Sequence, residues 1–210
     1  DEVSGNLPSK EWKQRRFKQA WYPGETVIAG IGQGYTLVTP MQLAHATAII
    51  AGNGISIRPH FVKAIQNSQT GEIKSIDFPK EQPFPFKPED LALVRDAMVA
   101  VTLPGGTAAR AAAGAPYTFG GKTGTAQVKS IKQGEKYNEK TVEERYRDHA
   151  LFIAYAPAND PTIAIGMIVE NGGHGGSTAA PIARQVLDYH LLGKVPASQI
   201  EEAAVEEEHD

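Results

Sequence analysis

The strongest pattern in the chain is a pair of nearly continuous apolar runs, Ala150-Leu151-Phe152-Ile153-Ala154-Tyr155 and Thr162-Ile163-Ala164-Ile165-Gly166-Met167-Ile168-Val169. Such runs, without a polar residue at alternate positions, predict strands buried on both faces, inside a sheet covered on two sides. Asn159-Asp160-Pro161 between them is turn chemistry, so the two strands are expected to pair as an antiparallel hairpin.

Elsewhere the apolar spacing is helical. Thr39-Pro40 offers a capping residue followed by proline at the first helical position, and Met41, Leu43, Ala44, Ala48 and Ile49 supply an apolar face. Gly52-Asn53-Gly54 stops this helix, because both residue types accept a left-handed conformation. Pro88-Glu89-Asp90 starts a second helix with acid in its first turn, and Leu91, Val94, Ala97, Met98 and Val101 form its inward stripe. Ser177 to Leu192 reads as a last helix, with Ile182, Val186, Leu187 and Leu191 inward and Gly193 as its stop. Between the first two helices, β-branched runs from Ile55 to Ile76, broken at Asn67-Ser68 and Thr70-Gly71, predict a hairpin. Pro79 to Pro88 is a proline-punctuated connector. The fold class is therefore mixed α/β: helices, then an antiparallel sheet edge, then a helix on the sheet. Residues 1–195 form one portion of a domain, and the acidic tail 196–210 has no core-facing pattern and is expected to be disordered.

Composition narrows the chemistry. An apolar share of 41% and a charged share of 21% are those of an ordinary globular protein, and a net charge of −3 gives no reason to expect nucleic acid as a partner. With no cysteine, disulfides, thiolate nucleophiles and cysteine-rich zinc sites are excluded. The histidines show no ligand spacing, so no metal site is expected. No apolar run is long enough to span a membrane.

Several segments tempt a functional reading and are better explained otherwise. Lys10 to Tyr22 mixes cations (Lys10, Lys13, Arg15, Arg16, Lys18) with aromatics (Trp12, Phe17, Trp21, Tyr22); the expectation is an exposed segment whose rings dock while the cations stay in water. Gly30-Ile31-Gly32-Gln33-Gly34 lacks the strand–turn–helix setting and spacing of a nucleotide site, so its glycines are expected to let the backbone pass close to another element. Lys129 to Arg147 alternates both signs of charge and reads as a solvated loop. His174, in Gly172-Gly173-His174-Gly175-Gly176, is expected in solvent, with the rim of a cleft as the alternative.

Gly120 to Val128 holds the motif that carries chemistry. Lys122-Thr123-Gly124-Thr125 runs into Ala126-Gln127-Val128, which suits a strand, so Lys122 and Gly124 point one way and Thr123 and Thr125 the other. Lys122 supplies a positive charge that attracts a carboxylate and depresses a neighbouring nucleophile's pKa. Gly124 leaves room for a backbone to come close. The threonine hydroxyls can bond an anionic group, and an unpaired strand N–H can stabilise an oxyanion. At average residue frequencies this tetrad arises by chance in fewer than about one chain in a hundred of this length.

Lys-Thr-Gly is the third motif of the serine β-lactamases and penicillin-binding proteins. The chain resembles the class B penicillin-binding proteins, and among them the elongation-specific penicillin-binding protein 2 of Gram-negative bacteria. The resemblance rests on Ser4-Gly5-Asn6 through Trp12-Lys13, Trp21-Tyr22-Pro23-Gly24, Gly30-Ile31-Gly32-Gln33-Gly34-Tyr35, Gly106-Thr107-Ala108, Lys122 through Val128, Arg147-Asp148-His149 and Glu170-Asn171-Gly172-Gly173. It implies the C-terminal portion of a peptidoglycan D,D-transpeptidase domain, which cross-links stem peptides through a serine acyl-enzyme and is the target of β-lactams. It implies that Lys122 anchors the active-site edge, that Thr123, Gly124 and Thr125 complete the substrate site, and that the Thr125 N–H is half of the oxyanion hole. No serine here has lysine three places on, so the Ser-x-x-Lys nucleophile and base are missing and this chain alone is expected to be inactive. Ser4-Gly5-Asn6 has the form of the second motif, but the resemblance places it well after that motif. The upstream half of the polypeptide would hold a cytoplasmic tail, a membrane anchor and a pedestal, placing this portion on the periplasmic side of the inner membrane. No cofactor is expected in this chain; some relatives carry a zinc site in the upstream part. A membrane glycosyltransferase of the elongation machinery is the implied partner. Two other readings stay open: a β-lactamase or β-lactam sensor fragment, and a non-catalytic peptide- or anion-binding module.

Overall fold

The structure, a computed structural model, describes residues 3–78, 83–128 and 142–195. In chain order it contains α1 (Lys10–Phe17), α2 (Pro23–Gly30), α3 (Pro40–Ala51), β1 (Ala64–Gln66), β2 (Ile73–Ser75), α4 (Pro88–Ala100), α5 (Ala109–Ala112), β3 (Gly120–Ala126), a 3-10 turn at Glu144–Tyr146, β4 (His149–Ala156), β5 (Ile163–Val169) and α6 (Ala179–Leu192). The tail 196–210 and most of the charged excursion, 129–141, lie outside the described residues. No described helix is long and apolar enough to cross a membrane.

β4 is the middle of a three-stranded antiparallel sheet, with β3 and β5 as its two edges. The expected pairing of the two apolar runs is present, from Ala150 opposite Val169 to Ala156 opposite Ile163. Their lack of polar alternation has the expected cause. Phe152, Ala154 and Ile165 pack on α6, and Tyr155, Ile153 and Ala164 pack with Ala51 and Met98 on the α3–α4 side. α3 comes very close to β5. A Cβ on Gly166 would lie 2.5 Å from the Pro40 carbonyl oxygen and 2.7 Å from the Ala44 nitrogen, so the glycine is required by helix packing.

The α3 N-terminus is as expected: Thr39 accepts from the Gln42 N–H at 3.1 Å, Gln42 accepts from the Thr39 N–H at 3.0 Å, and Pro40 sits at the first position. Its C-terminus differs in detail, since Asn53 and Gly54, not Gly52, hold the left-handed conformation. The hairpin appears as β1 and β2, with Gly71 left-handed in its turn.

Two predicted stripes are corrected. On α6 the buried residues are Ala179, Ala180, Ala183 and Leu187, while Ile182 and Val186 stay exposed. The sheet selects small side chains that let the helix lie close, where the sequence pattern favours large ones. On α4 the inward side is Leu91 and Met98, with half-buried Arg95 between them, continued by Thr102 just beyond the helix, and Val94 is exposed. Arg95 donates to the Asn53 side chain at 2.5 Å and to the Ala158 carbonyl at 2.9 Å, and these bonds turn that face inward.

The N-terminal segment brings a third correction. Trp12 and Phe17 cluster with Tyr35, but Phe17 and Tyr22 stay exposed, and it is Lys13 that does not stay in water. It is 1% exposed, and its ammonium donates to both Glu25 oxygens at 2.6 Å and sits 4.4 Å from the Tyr22 ring centroid. Lys13, and then the Tyr22 N–H that also caps α2, hold the Glu25 carboxyl below its ordinary pKa.

Candidate active site

β3 is hydrogen-bonded to β4 alone among the described strands, in a register from Gly120 opposite Tyr155 to Ala126 opposite His149. Two glycines open it for a packing reason. A Cβ on Gly120 or on Gly121 would strike the Tyr155 or the Phe152 ring at 2.5 Å, so these bare positions let two fully buried aromatics lie against the strand.

From there the side chains alternate. Lys122 and Gly124 stand opposite Ile153 and Leu151, on the α3–α4 face. Thr123 and Thr125 stand opposite Phe152 and Ala150, on the α6 face, and line an open cleft of about 850 Å3. Thr107, Arg110, His174 and Gly175 also line it, and the Thr107 and Thr123 hydroxyls are 3.1 Å apart. Lys122 is exposed and does not line this cleft; its ammonium donates to the Thr123 carbonyl at 2.6 Å.

The orientation of the edge follows from three contacts. The Thr102 hydroxyl donates to the Phe119 carbonyl at 2.8 Å, the Lys122 ammonium to Thr123, and the Gln33 carboxamide to the Thr125 carbonyl at 2.5 Å. In an antiparallel strand the N–H and C=O of one residue point the same way, and the direction alternates along the chain. Residues 119, 123 and 125 therefore aim their backbone groups away from β4, and the Thr125 N–H faces the open side of the sheet.

The loop before α6 forms the opposite wall. Asn171, left-handed at φ 55°, receives the chain as it leaves β5: its side chain donates to the Arg147 carbonyl at 3.0 Å and its N–H to His149 Nδ1 at 2.9 Å. The Gly173 N–H donates to the Asp148 carbonyl at 2.8 Å. The loop then crosses the β3–β4 ladder so closely that a Cβ on Gly175 would lie 2.6 Å from the Gly124 oxygen. Gly124 itself faces the other side of the sheet, where a Cβ would lie 3.2 Å from the Leu151 Cβ. His174 is exposed and on the rim, so the two expectations for it coincide.

At the far end of the cleft a strut that the sequence reading missed joins α5 to α6. Tyr117 Oη donates to Asp188 Oδ1 at 2.6 Å, Arg184 Nε donates to the same oxygen at 2.7 Å, and Arg184 also reaches the Ala111 and Ala113 carbonyls. Burial, then the hydrogen bond to Asp188, raise the Tyr117 hydroxyl far above its ordinary pKa, so it stays protonated and donates. Burial alone would raise the Asp188 carboxyl, but the bonds from Arg184 and Tyr117 outweigh it and hold the group low. The trio is a fixed brace with no proton to exchange near neutral pH. The i,i+4 spacing of Arg184 and Asp188 is the one local signal that could have shown it.

Among the described residues a hydroxyl–imidazole contact lies elsewhere, Ser56 Oγ with His45 Nε2 at 3.1 Å, but neither residue lines the cleft.

Comparison with known proteins adds the following. The family profile described as penicillin binding protein transpeptidase domain matches residues 2–188. The peptidoglycan D,D-transpeptidase MrdA of Haemophilus influenzae is 38% identical over 217 aligned residues, covering 100% of this chain and 32% of that protein. This chain thus spans about a third of that relative's length. The crystal structure of Pseudomonas aeruginosa PBP2 in complex with WCK 5153 aligns with a TM-score of 0.74 and 40% identity, covering 94% of this chain and 41% of that one. The complex between PBP2 and MreC from Helicobacter pylori aligns at 0.70 and 32% identity, covering 92% and 32%.

Proposed function

The chain belongs to the penicillin-binding protein transpeptidase domain family, and from that premise we propose that its whole protein is an elongation-specific peptidoglycan D,D-transpeptidase, acting through a serine acyl-enzyme. One observation carries this reading to the residues: Lys122-Thr123-Gly124-Thr125 is the open edge of a sheet beside a cleft, with the Thr125 N–H turned outward.

In this reading the upstream half supplies the serine and its base, on the side of β3 to which Lys122 belongs. The Lys122 ammonium leaves the Thr123 carbonyl to lower the pKa of the groups around that serine. The D-alanyl carbonyl lies against the edge, so that negative charge developing on its oxygen meets the Thr125 N–H, a donor fixed before the reaction begins. The Thr123 and Thr125 hydroxyls take the terminal carboxylate of the stem peptide, or the matching group of a β-lactam. The serine oxygen forms the acyl ester as the terminal D-alanine leaves with the serine's proton; an amine from a neighbouring stem then attacks that ester, forms the cross-link and releases the serine. We place this portion on the periplasmic side of the inner membrane, anchored by the upstream half, with a membrane glycosyltransferase as partner. The H. pylori complex supports adding an MreC-type protein to the partners.

Labelled penicillin tests the proposal. The complete protein is expected to capture it covalently, and Lys122→Ala is expected to abolish capture without lowering the melting temperature. This chain alone, having no Ser-x-x-Lys, is expected to give no adduct by mass spectrometry. Unchanged capture by Lys122→Ala would remove the assignment.

A further inference from the structure

Gln33 lies 92 residues before Thr125, yet its carboxamide donates to the Thr125 carbonyl at 2.5 Å. The acceptor is a carbonyl, so the contacting atom has to be the amide nitrogen. The loop that carries Gln33 is built to deliver it. Gly32 (φ 75°) and Gly34 (φ 76°), left-handed on either side, turn the side chain out of the loop's own path. The Gln33 and Gly32 N–H groups donate to the Ile28 and Ala29 carbonyls at 3.1 and 3.0 Å, which fixes the loop to the end of α2. α2 is in turn fixed to α1 by the buried Lys13–Glu25 pair.

At the receiving end, β3 is paired on one side only, and Thr125 is the last residue but one in its register. A strand end held by one neighbour frays unless something grips its free side. From this geometry we infer that Gln33 is a positioning residue for acyl transfer: it pins the Thr125 carbonyl and so fixes the outward aim of the same residue's N–H. The carbonyl keeps its second lone pair, so the pin leaves an acceptor for an N–H of a peptide laid along the edge. The inference rests on the transpeptidase reading, because only there does the aim of one strand N–H set a rate.

The effect belongs to the transition state. A pinned donor meets charge that exists only as the tetrahedral intermediate forms, so losing the pin slows acylation at saturation and changes ligand affinity little. The test uses the complete protein, a fluorescent penicillin, and rapid-quench measurement of both the half-saturating concentration and the limiting rate. Gln33→Glu keeps the size but sets an acceptor against an acceptor, and Gln33→Asn is one methylene too short. In both variants the limiting rate is expected to fall about 10- to 100-fold, the scale of an ångström-level misplacement. The half-saturating concentration should stay within about twofold, because ground-state binding is not the affected step. The melting temperature should fall by no more than about 3 °C, as for one partly buried hydrogen bond. Wild-type limiting rates in both variants overturn the inference alone. So does a shift confined to half-saturation, or a rate loss that comes with a much lower melting temperature. A complete wild-type protein that takes no label overturns the transpeptidase reading, and this inference with it.

Discussion

Gly175→Ala puts one methyl group into the contact between the loop before α6 and the β3–β4 ladder. The new carbon would lie 2.6 Å from the Gly124 oxygen and closer still to the Leu151 oxygen. Carbon–oxygen contacts settle near about 3.3–3.6 Å, so the loop would have to lift by roughly 1 Å. It is not free to do so. The Gly173 N–H is bonded to Asp148 and the Ala180 N–H to the Gly175 carbonyl, both at 2.8 Å, which ties the loop to β4 at one end and to α6 at the other. Overpacking of this kind costs about 1–3 kcal/mol, and losing one of the ties adds about 1 kcal/mol. At roughly 2–4 °C per kcal/mol for a chain of this size, the melting temperature should fall by about 5–15 °C. The lifted loop also carries His174 and the cleft wall with it, so acylation by labelled penicillin should slow about tenfold or more. Scanning calorimetry and labelling of the complete protein measure the two effects. Gly24→Ala is the control: nothing lies within 4 Å of its Cβ position, and alanine in a helix is about 1 kcal/mol better than glycine. If Gly175→Ala melts within about 1 °C of wild type, the close approach of loop and ladder is wrong.

Three further outcomes follow from the packing and the brace. Leu187→Ala removes a fully buried side chain under the sheet and should cost about 2–5 kcal/mol in urea titrations, with little change in m. Gly166→Ala should push α3 off β5 and cost about 1–3 kcal/mol by the same assay; a neutral result would contradict the helix–strand contact. Asp188 has its folded pKa depressed, so its contribution is present above the unfolded value near about 3.9 and is lost as pH falls through the lower folded value. Melting curves of wild type and Asp188→Asn should therefore lie apart at neutral pH and converge below about pH 4; parallel curves would show that the brace adds no pH-dependent stability.

The sequence displays what is local and hides what is distant. The β4–β5 hairpin was legible because continuous apolar runs and a proline turn leave few alternatives, and the α3 cap because proline and threonine stand side by side. The Lys-Thr-Gly-Thr segment was legible as a strand, since its alternation comes directly from the pleat. α2 was missed although Pro23 at its first position and Glu25 two residues on are start signals; glycine and aromatics around them masked the pattern. The α6 stripe was not legible, because bulky side chains mark burial in the pattern while the close approach of this helix required alanine. The Lys13–Glu25 pair, the Gln33–Thr125 bond and the Tyr117–Asp188 bond span 12, 92 and 71 residues, and no periodicity encodes such contacts. Gln33 was harder still to see, because the glycines around it suggest nucleotide chemistry and draw attention from the one polar side chain between them.

β5 pairs with β4 on one side, and among the described residues no strand lies on its other side. From Ile163 to Val169 it carries no charge, no proline and no bulge, the devices by which exposed strand edges discourage uninvited neighbours. Prepared by itself, this polypeptide should consequently self-associate as its concentration rises, recruiting a second molecule along that seam. Sedimentation at increasing loading would register the growing particle, and Ile168→Lys, at an exposed position of the strand, should keep it small.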